Sequence, residues 1–200
     1  MAPTSFDYKK ATQTINYLAS CTKSKQINIM RVLKLIWAAD RYHIRKYGRT
    51  VLGDKYIAMR FGPVASKAKD LMERTIALQI DETKYRDQYI KRLNKYTIES
   101  INKVDFDFFS ETDIEALKFA AKEFGKIEKF NLSNFTHEYP EWKKYEQLLE
   151  SGKSEWEVIN LNDFFKNPTS ISKDPFQADE ESLSISKEIF QENVSLYSFL

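Results

Sequence analysis

The chain has 200 residues, of which 42% are hydrophobic and 14% are aromatic. This length and composition predict one globular domain with enough apolar side chains for a sizeable core. No apolar stretch reaches the roughly 18 residues of a membrane span, and the polar start lacks a signal-peptide stretch. We therefore expect a cytoplasmic protein that does not enter a membrane. Cys21 is the only cysteine, which excludes an internal disulfide and a cysteine-based zinc cluster.

The net charge of +2 is unevenly spread along the chain. Residues 1–96 hold 20 Lys and Arg against 8 Asp and Glu (+12), whereas residues 97–200 hold 11 against 21 (−10). Either the basic half meets an acidic or nucleic-acid partner, or the two halves pack together and partly neutralise each other. We favour internal packing as the main reason.

Helix signals dominate the first part of the chain. Asp7 can cap a first helix, and Ser24 or Asn28 can begin a second. The second helix is apolar on nearly every side over residues 32–39, which is typical of a central helix surrounded by others. Gly48 suits the residue after its last turn, where a left-handed backbone is common.

Strand signals follow. Residues 56–61 alternate between apolar and polar positions and predict a short strand. Gly62 and Pro63 break it, and Pro63 fits the first position of a third helix that continues to Ile76. The charged residues 81–95 indicate a loop or an exposed helical turn, while residues 96–101 and 104–108 alternate and could pair as a hairpin beside the earlier strand.

The second half again favours helices. Ser110 and Asp113 form a capping-box pattern before a helix that ends at Gly125, and Pro140 begins another helix. Residues 161–165 make a short final helical piece. The predicted fold class is therefore mainly α, a compact helical domain over residues 1–167 around a central apolar helix, with a small two- or three-stranded β element.

Residues 168–200 differ in composition from the rest. They contain seven serines and six acidic against two basic residues, a net charge of −4. We interpret them as an acidic, Ser-rich C-terminal extension. Its apolar end could fold onto a partner, or its acids could lie on the basic surface of its own domain. We favour contact with a partner.

Few residues could support catalysis or hold a metal or cofactor. The only histidines are His43 and His137, and no glycine-rich phosphate loop is present. Asp40 lies within the apolar helix and must have a hydrogen-bond or ion-pair partner there. His137, between aromatic residues, is expected to be a buried, hydrogen-bonded packing residue. We expect no enzyme activity, no metal and no cofactor.

Cations are interleaved with aromatic residues after the central helix. The residues of this kind that we select as candidate partner contacts are Tyr42, Arg45, Arg49, Arg60 and Phe61. Such a surface could hold an acidic protein or the phosphates and bases of a nucleic acid. We favour a protein because no helix-turn-helix or zinc-finger spacing is visible. Self-association is a further contact that the chain could make.

Ordered segments of the sequence resemble the SocA-like antitoxin domain, also called Panacea. The resemblance covers about residues 5–166 and rests on residues 34–41, Gly48-Arg49, residues 56–64, residues 132–138 and Trp142. The residues that we place in its structural motif are Asp40, Gly48, Gly62, Pro63, His137 and Trp142. Trp37 stands near a position where the family usually has Tyr.

The resemblance implies a function. Family members neutralise a protein toxin by direct contact, and some act as adaptors that present a toxin to a protease. We therefore predict an antitoxin with a cognate toxin as its partner. A proteolytic adaptor and a nucleic-acid-binding transcriptional regulator are the alternatives, of which the nucleic-acid role is less favoured.

Overall fold

The computed structural model describes residues 6–73 and 78–198. The first two helices are α1 (Tyr8–Ser20) and α2 (Ile29–Tyr47). Asp7 caps α1 by accepting from the backbone N–H of Lys9 at 2.8 Å. Asn28 caps α2 in the same way, and Gly48, at φ 65°, ends it. These boundaries confirm the predicted ones because each depends on local backbone chemistry.

Helix α2 is the centre of the domain, as predicted. Its middle is buried on all sides, with Trp37 and Ala38 both at 0% exposure. It packs against α5 (Glu111–Phe124), α6 (Lys129–His137) and α9 (Glu180–Ser198). The structure confirms a mainly α fold.

The strands form two small antiparallel sheets. The strands of the first, in the order β1-β5-β4, are β1 (Gln26–Asn28), β4 (Ile90–Arg92) and β5 (Thr97–Ser100). Those of the second, in the order β3-β2-β6, are β2 (Tyr56–Met59), β3 (Gly62–Ala65) and β6 (Trp156–Val158). The predicted hairpin between residues 96–101 and 104–108 is wrong. Phe106–Phe108 form a 3-10 turn, and β5 pairs with β1 and β4 instead.

The role predicted for Pro63 is also wrong. Pro63 lies in β3, opposite Ala58 of β2, and α3 (Ser66–Glu73) begins three residues later. An edge strand tolerates proline because a missing N–H can face away from the ladder. The start of α3 is capped instead by Asp54, which accepts from the N–H of Ala68 at 2.8 Å.

The other predicted segments are helical to different extents. Residues 81–89 lie in α4 (Ile80–Tyr89) and residues 90–92 in β4, so the helical alternative for this segment is closer to the structure than the loop. The helix predicted from Pro140 is two short ones, α7 (Pro140–Lys143) and α8 (Glu146–Glu150). Ile76 lies outside the described residues. No helix in the described part of the chain combines the length and apolarity needed to cross a bilayer.

The segment after residue 167 packs on the rest of the chain. Phe176 is 3% exposed, and Asp174 accepts a hydrogen bond from the Tyr139 hydroxyl at 2.8 Å. Farther along, the ring of Phe190 in α9 lies 5.7 Å from that of Phe165. Apolar side chains and hydrogen bonds together therefore hold this segment against the rest of the domain. The division at residue 167 stays a prediction.

Candidate protein-binding cleft

The five predicted partner contacts lie in two separate places. Arg60 and Phe61 occupy the exposed turn between β2 and β3, and both line a cleft with Lys34 of α2. Tyr42, Arg45 and Arg49 lie at the other end of α2 and just beyond it. Lys34 and Arg45 are eleven residues apart in one helix, which corresponds to about 16 Å. The five residues therefore do not form one surface.

Arg45 is a correction to the predicted surface, because it is only 2% exposed. Its guanidinium donates to the carbonyl oxygens of Phe164 at 3.0 Å and Phe176 at 3.1 Å, and to Asn167 Oδ1 at 2.6 Å. Burial lowers its pKa to about 10. Arg45 thus fastens the C-terminal segment to α2 and offers no surface to a partner in this conformation.

Tyr42 and Arg49 fasten α2 to α5. Arg49 donates to Asp113 Oδ1 at 3.0 Å, and the Tyr42 hydroxyl donates to Glu115. The ammonium of Lys46 also donates to Glu115. This hydrogen bond, and after it that of Tyr42, lowers the pKa of Glu115 to about 2. Both predicted contact residues are partly buried and already have partners within the chain.

A cleft of about 560 Å³ lies beside this end of α2, where Pro175–Asp179 approach Tyr42 and Lys46. Its cations are already engaged, since Lys46 pairs with Glu115 and Arg45 with backbone oxygens. We therefore do not assign a partner to this cleft.

Asp40 has the satisfied environment expected of a buried carboxylate. It is 0% exposed and accepts from the N–H of Val51 at 2.6 Å and from the Tyr56 hydroxyl at 2.7 Å. Its partners are therefore not the sequence neighbours Arg41 and His43. Burial raises its pKa to about 7, although these hydrogen bonds oppose the shift. Asp40 holds the chain segment after α2 in place.

Gly62 and Pro63 allow a close approach of β3 to α2 and α6. Gly62 has φ 100°, and a Cβ there would lie 2.4 Å from Thr136 Oγ1 and 2.6 Å from Lys34 Nζ. Lys34, at 1% exposure, donates to the Pro63 carbonyl at 2.8 Å, and burial lowers its pKa well below the usual value. A side chain at position 62 would separate these elements.

His137 and Trp142 form the neighbouring contact. Their rings are stacked, with centroids 3.6 Å apart, and Trp142 Nε1 donates to the Met59 carbonyl at 2.8 Å. Burial, followed by the charge of Lys34, lowers the His137 pKa to about 4. The expectation of a buried, hydrogen-bonded residue is wrong, because His137 is half-buried and its ring has no hydrogen bond among the described residues; Nε2 itself is buried without a partner.

A buried ion pair that the sequence did not predict lies in the core. Arg41 donates to Glu141 at 2.7 Å, and both side chains are 0% exposed. Trp37 Nε1 donates to the same carboxylate at 3.0 Å, while the Arg41 guanidinium lies 4.4 Å from the Tyr139 ring centroid. Burial raises the Glu141 pKa, and Arg41 opposes the rise. We call Arg41, Arg45 and Glu141 the buried charge cluster.

A larger exposed cleft lies at the other end of α2. This cleft, of about 750 Å³, lies between the start of α2, the β2–β3 turn, the β4–β5 turn and the start of α6. The cations around its rim are Arg60, Lys69, Arg92, Lys95 and Lys129. The two carboxylates are those of Glu73 and Glu155. The floor is apolar and includes Ile29, Met30, Leu33, Met59 and Val64.

Three cation–aromatic pairs stand on the rim, and we call them the rim pairs. Phe61, Tyr96 and Phe130 are 52%, 61% and 51% exposed. The preceding cation lies over each ring, in the pairs Arg60–Phe61 at 5.9 Å, Lys95–Tyr96 at 5.5 Å and Lys129–Phe130 at 4.8 Å. Within residues 6–73 and 78–198, none of these three cations has a carboxylate at ion-pair distance.

Metal ligands are not grouped in the described part of the chain. No set of three or more His, Cys, Asp and Glu side chains there is arranged to hold an ion. The ionisable residues that the fold does bring together are paired with cations or hydrogen-bonded by backbone groups, as Glu141 and Asp40 are.

The geometry defines a mainly α domain with an exposed, basic and aromatic cleft at one end of its central helix. A family model described as antitoxin SocA-like, Panacea domain, matches residues 32–143, which is more than half of the chain. The chain therefore belongs to the SocA-like Panacea antitoxin family, as its sequence segments predicted. Comparison with curated proteins and with solved structures gives no match. The matched region includes most of α2 and the β2–β3 turn.

Proposed function

We propose that this protein neutralises a toxin in the cytoplasm by binding it directly. Membership of the antitoxin family supports the general role. The observation that supports direct binding is the set of three rim pairs. Their rings are exposed beside an apolar floor, and their cations have no ion pair among the described residues. Aromatic and arginine side chains are the residues that most often dominate protein–protein binding energies.

We further propose that this role needs no catalysis. Asp40, Glu141 and Lys34 have shifted pKa values, which often mark active sites. Each is buried and held by a structural partner: two backbone amides and Tyr56 for Asp40, Arg41 for Glu141, and the Pro63 carbonyl for Lys34. Burial explains these shifts without a reaction, and each partner keeps a buried polar or charged group from being left uncompensated.

The direct test uses the protein encoded by the gene next to the gene for this chain. It is expressed alone and together with this chain, and growth and complex formation are measured. We expect growth arrest alone, relief on co-expression, and a complex of the two purified proteins on size exclusion. No arrest, no relief, or relief without a complex would contradict direct neutralisation.

The same experiment separates blocking from proteolytic presentation. A blocking antitoxin leaves the toxin level unchanged, whereas an adaptor lowers it only while the protease is active. We therefore expect equal toxin levels in protease-proficient and protease-deficient cells. A fall in the proficient cells alone assigns the adaptor role.

A further inference from the structure

We propose that the 750 Å³ cleft binds an acidic segment of the partner protein, with carboxylates on the rim and apolar side chains on the floor. This inference rests on the proposed function for the identity of the partner. The chemistry of the segment is derived from the cleft alone.

The charge of the rim is the first step. Five cations stand on the rim and the buried Lys34 also lines the cleft, against two carboxylates. One of these carboxylates, Glu73, is paired with Lys69 at 2.6 Å. Arg92 is occupied with backbone carbonyl oxygens, including Asn94 O at 3.1 Å, which leave its charge uncompensated. The rim therefore has an excess of positive charge, which attracts carboxylates and disfavours basic partners.

The exposed rings and the floor are the second step. Phe61, Tyr96 and Phe130 are each more than half exposed although they border a concave apolar surface. Contact with water costs free energy in proportion to the apolar area, so covering this surface favours binding. A volume of about 750 Å³ is within the range of sites that enclose several groups. Aliphatic and aromatic side chains of a peptide can fill it.

A nucleic acid fits the cleft less well. It would supply phosphates for the cations but no aliphatic side chains for Met30, Leu33 and Met59 on the floor. One face of each rim ring lies under its own cation, which leaves a single face for a stacked base. The observations favour an acidic peptide.

The test measures which peptides the cleft selects. A random peptide library displayed on phage is selected on the full-length protein, and the enriched peptides are then synthesised. The cleft variant carries Arg60→Glu and Lys95→Glu. The control variant carries Lys103→Glu and Lys118→Glu, which make the same charge change at exposed positions outside the cleft. Circular dichroism and melting temperature verify that both variants are folded.

We expect enrichment of peptides that combine Asp and Glu with Leu, Phe or Trp. Their affinity should fall about tenfold or more in the cleft variant and stay within about threefold in the control. Enrichment of no peptide, of peptides without acidic residues, or of peptides that bind both variants equally would overturn the proposal. If a 15-nucleotide oligo-dT binds the wild type more tightly than the enriched peptides do, and does not bind the cleft variant, the cleft is a nucleic-acid site instead.

The outcome also separates this inference from the proposed function. If acidic peptides bind the cleft but the neighbouring protein is neither toxic nor bound, the proposed function fails and the chemistry of the cleft stands. If a toxin complex forms equally well with the cleft variant, the cleft proposal fails and the function stands.

Discussion

The two ends of α2 use the same residue types for different purposes. At its C-terminal end, Arg41 and Arg45 are buried among aromatic rings, and each donates to a carboxylate or to carbonyl oxygens. At its N-terminal end, Arg60 and Lys95 lie over exposed rings and have no carboxylate within the described chain. The two ends therefore differ in whether oxygen acceptors lie near the cation, and not in the residue type. Cations with such acceptors are buried in the core, and cations without them stay exposed.

This difference should separate stability from binding. A buried charge that loses its partner is costly because it has neither water nor a counter-charge. An exposed cation without a partner is solvated, and changing it alters the fold little. We therefore expect the buried charge cluster to control unfolding and the rim pairs to control association.

The largest expected effect is at Glu141. Glu141→Ala leaves Arg41 buried without its counter-charge and should lower the free energy of unfolding by about 3–5 kcal/mol. Urea unfolding of the purified protein measures it. The matched control is Glu146→Ala, which breaks a partly exposed pair with Lys143 and should cost less than about 1 kcal/mol. Equal costs for the two variants would remove the basis of the comparison.

Gly62 tests the close approach beneath the cleft. Gly62→Ala combines a positive φ with a Cβ that collides with Thr136 and Lys34, and it should cost about 2–4 kcal/mol. Gly152→Ala is the control, since Gly152 also has a positive φ, 71°, but no atom within 4 Å of its Cβ position. It should cost about 1–2 kcal/mol from backbone strain alone. Thermal unfolding of both variants compares them, and a cost at Gly62 no larger than at Gly152 would contradict the packing.

The pH dependence of stability sharpens the account of the core. The pKa of His43 and of His137 is lowered by burial to about 4, so both stay neutral in the fold while the unfolded chain takes up protons near pH 6.5. Their contribution is present above about pH 6.5 and is lost as the pH falls towards about 4. The contribution of Asp40 to stability changes with pH in the opposite direction. Its pKa is raised to about 7 in the fold, so the folded protein binds this proton more tightly than the unfolded chain and gains stability as the pH falls.

Replacement of one histidine isolates its part of this slope. His137→Gln leaves His43 and Asp40 unchanged, so the loss of unfolding free energy between pH 7 and pH 5 should be smaller in the variant than in the wild type. Urea unfolding at the two pH values measures the difference. An identical pH dependence in both proteins would show that His137 titrates alike in the folded and unfolded states.

The smallest expected effect on stability is at the rim. The cleft variant, Arg60→Glu with Lys95→Glu, changes two exposed side chains that have no ion pair within the described chain. We expect a change of less than about 1 kcal/mol in the free energy of unfolding, as for the control Lys103→Glu with Lys118→Glu. A larger loss of unfolding free energy in the cleft variant alone would show that the rim side chains stabilise the fold.

Sequence reasoning succeeded where the cause is local. Asp7, Asn28, Gly48 and the Ser110–Asp113 capping box act within one turn of their own helix, and all were predicted. Pro63 was misplaced because its tolerance depends on an edge strand, and the edge is defined by β2 and β6 elsewhere in the chain. Helix α9 was missed as a helix because its acid and serine content resembles a mobile tail.

Local signals in the sequence also identified only part of the cleft. Arg60 and Phe61 were selected because cations are interleaved with aromatic residues after the central helix, but Lys95–Tyr96 and Lys129–Phe130 were not selected. The dipeptide alone is a poor signal, since Lys55–Tyr56 has the same pattern and Tyr56 is 1% exposed. Only the three-dimensional arrangement shows which rings face water.

The central claim is that the rim pairs bind the partner while the buried charge cluster only stabilises the fold. The most direct test is the dissociation constant of the toxin complex, measured by titration calorimetry for the wild type, the cleft variant and the Lys103→Glu, Lys118→Glu control. We predict at least a tenfold weaker complex for the cleft variant alone, with wild-type stability in both variants. Equal affinity of all three proteins, or an equal loss in the control, would contradict the claim.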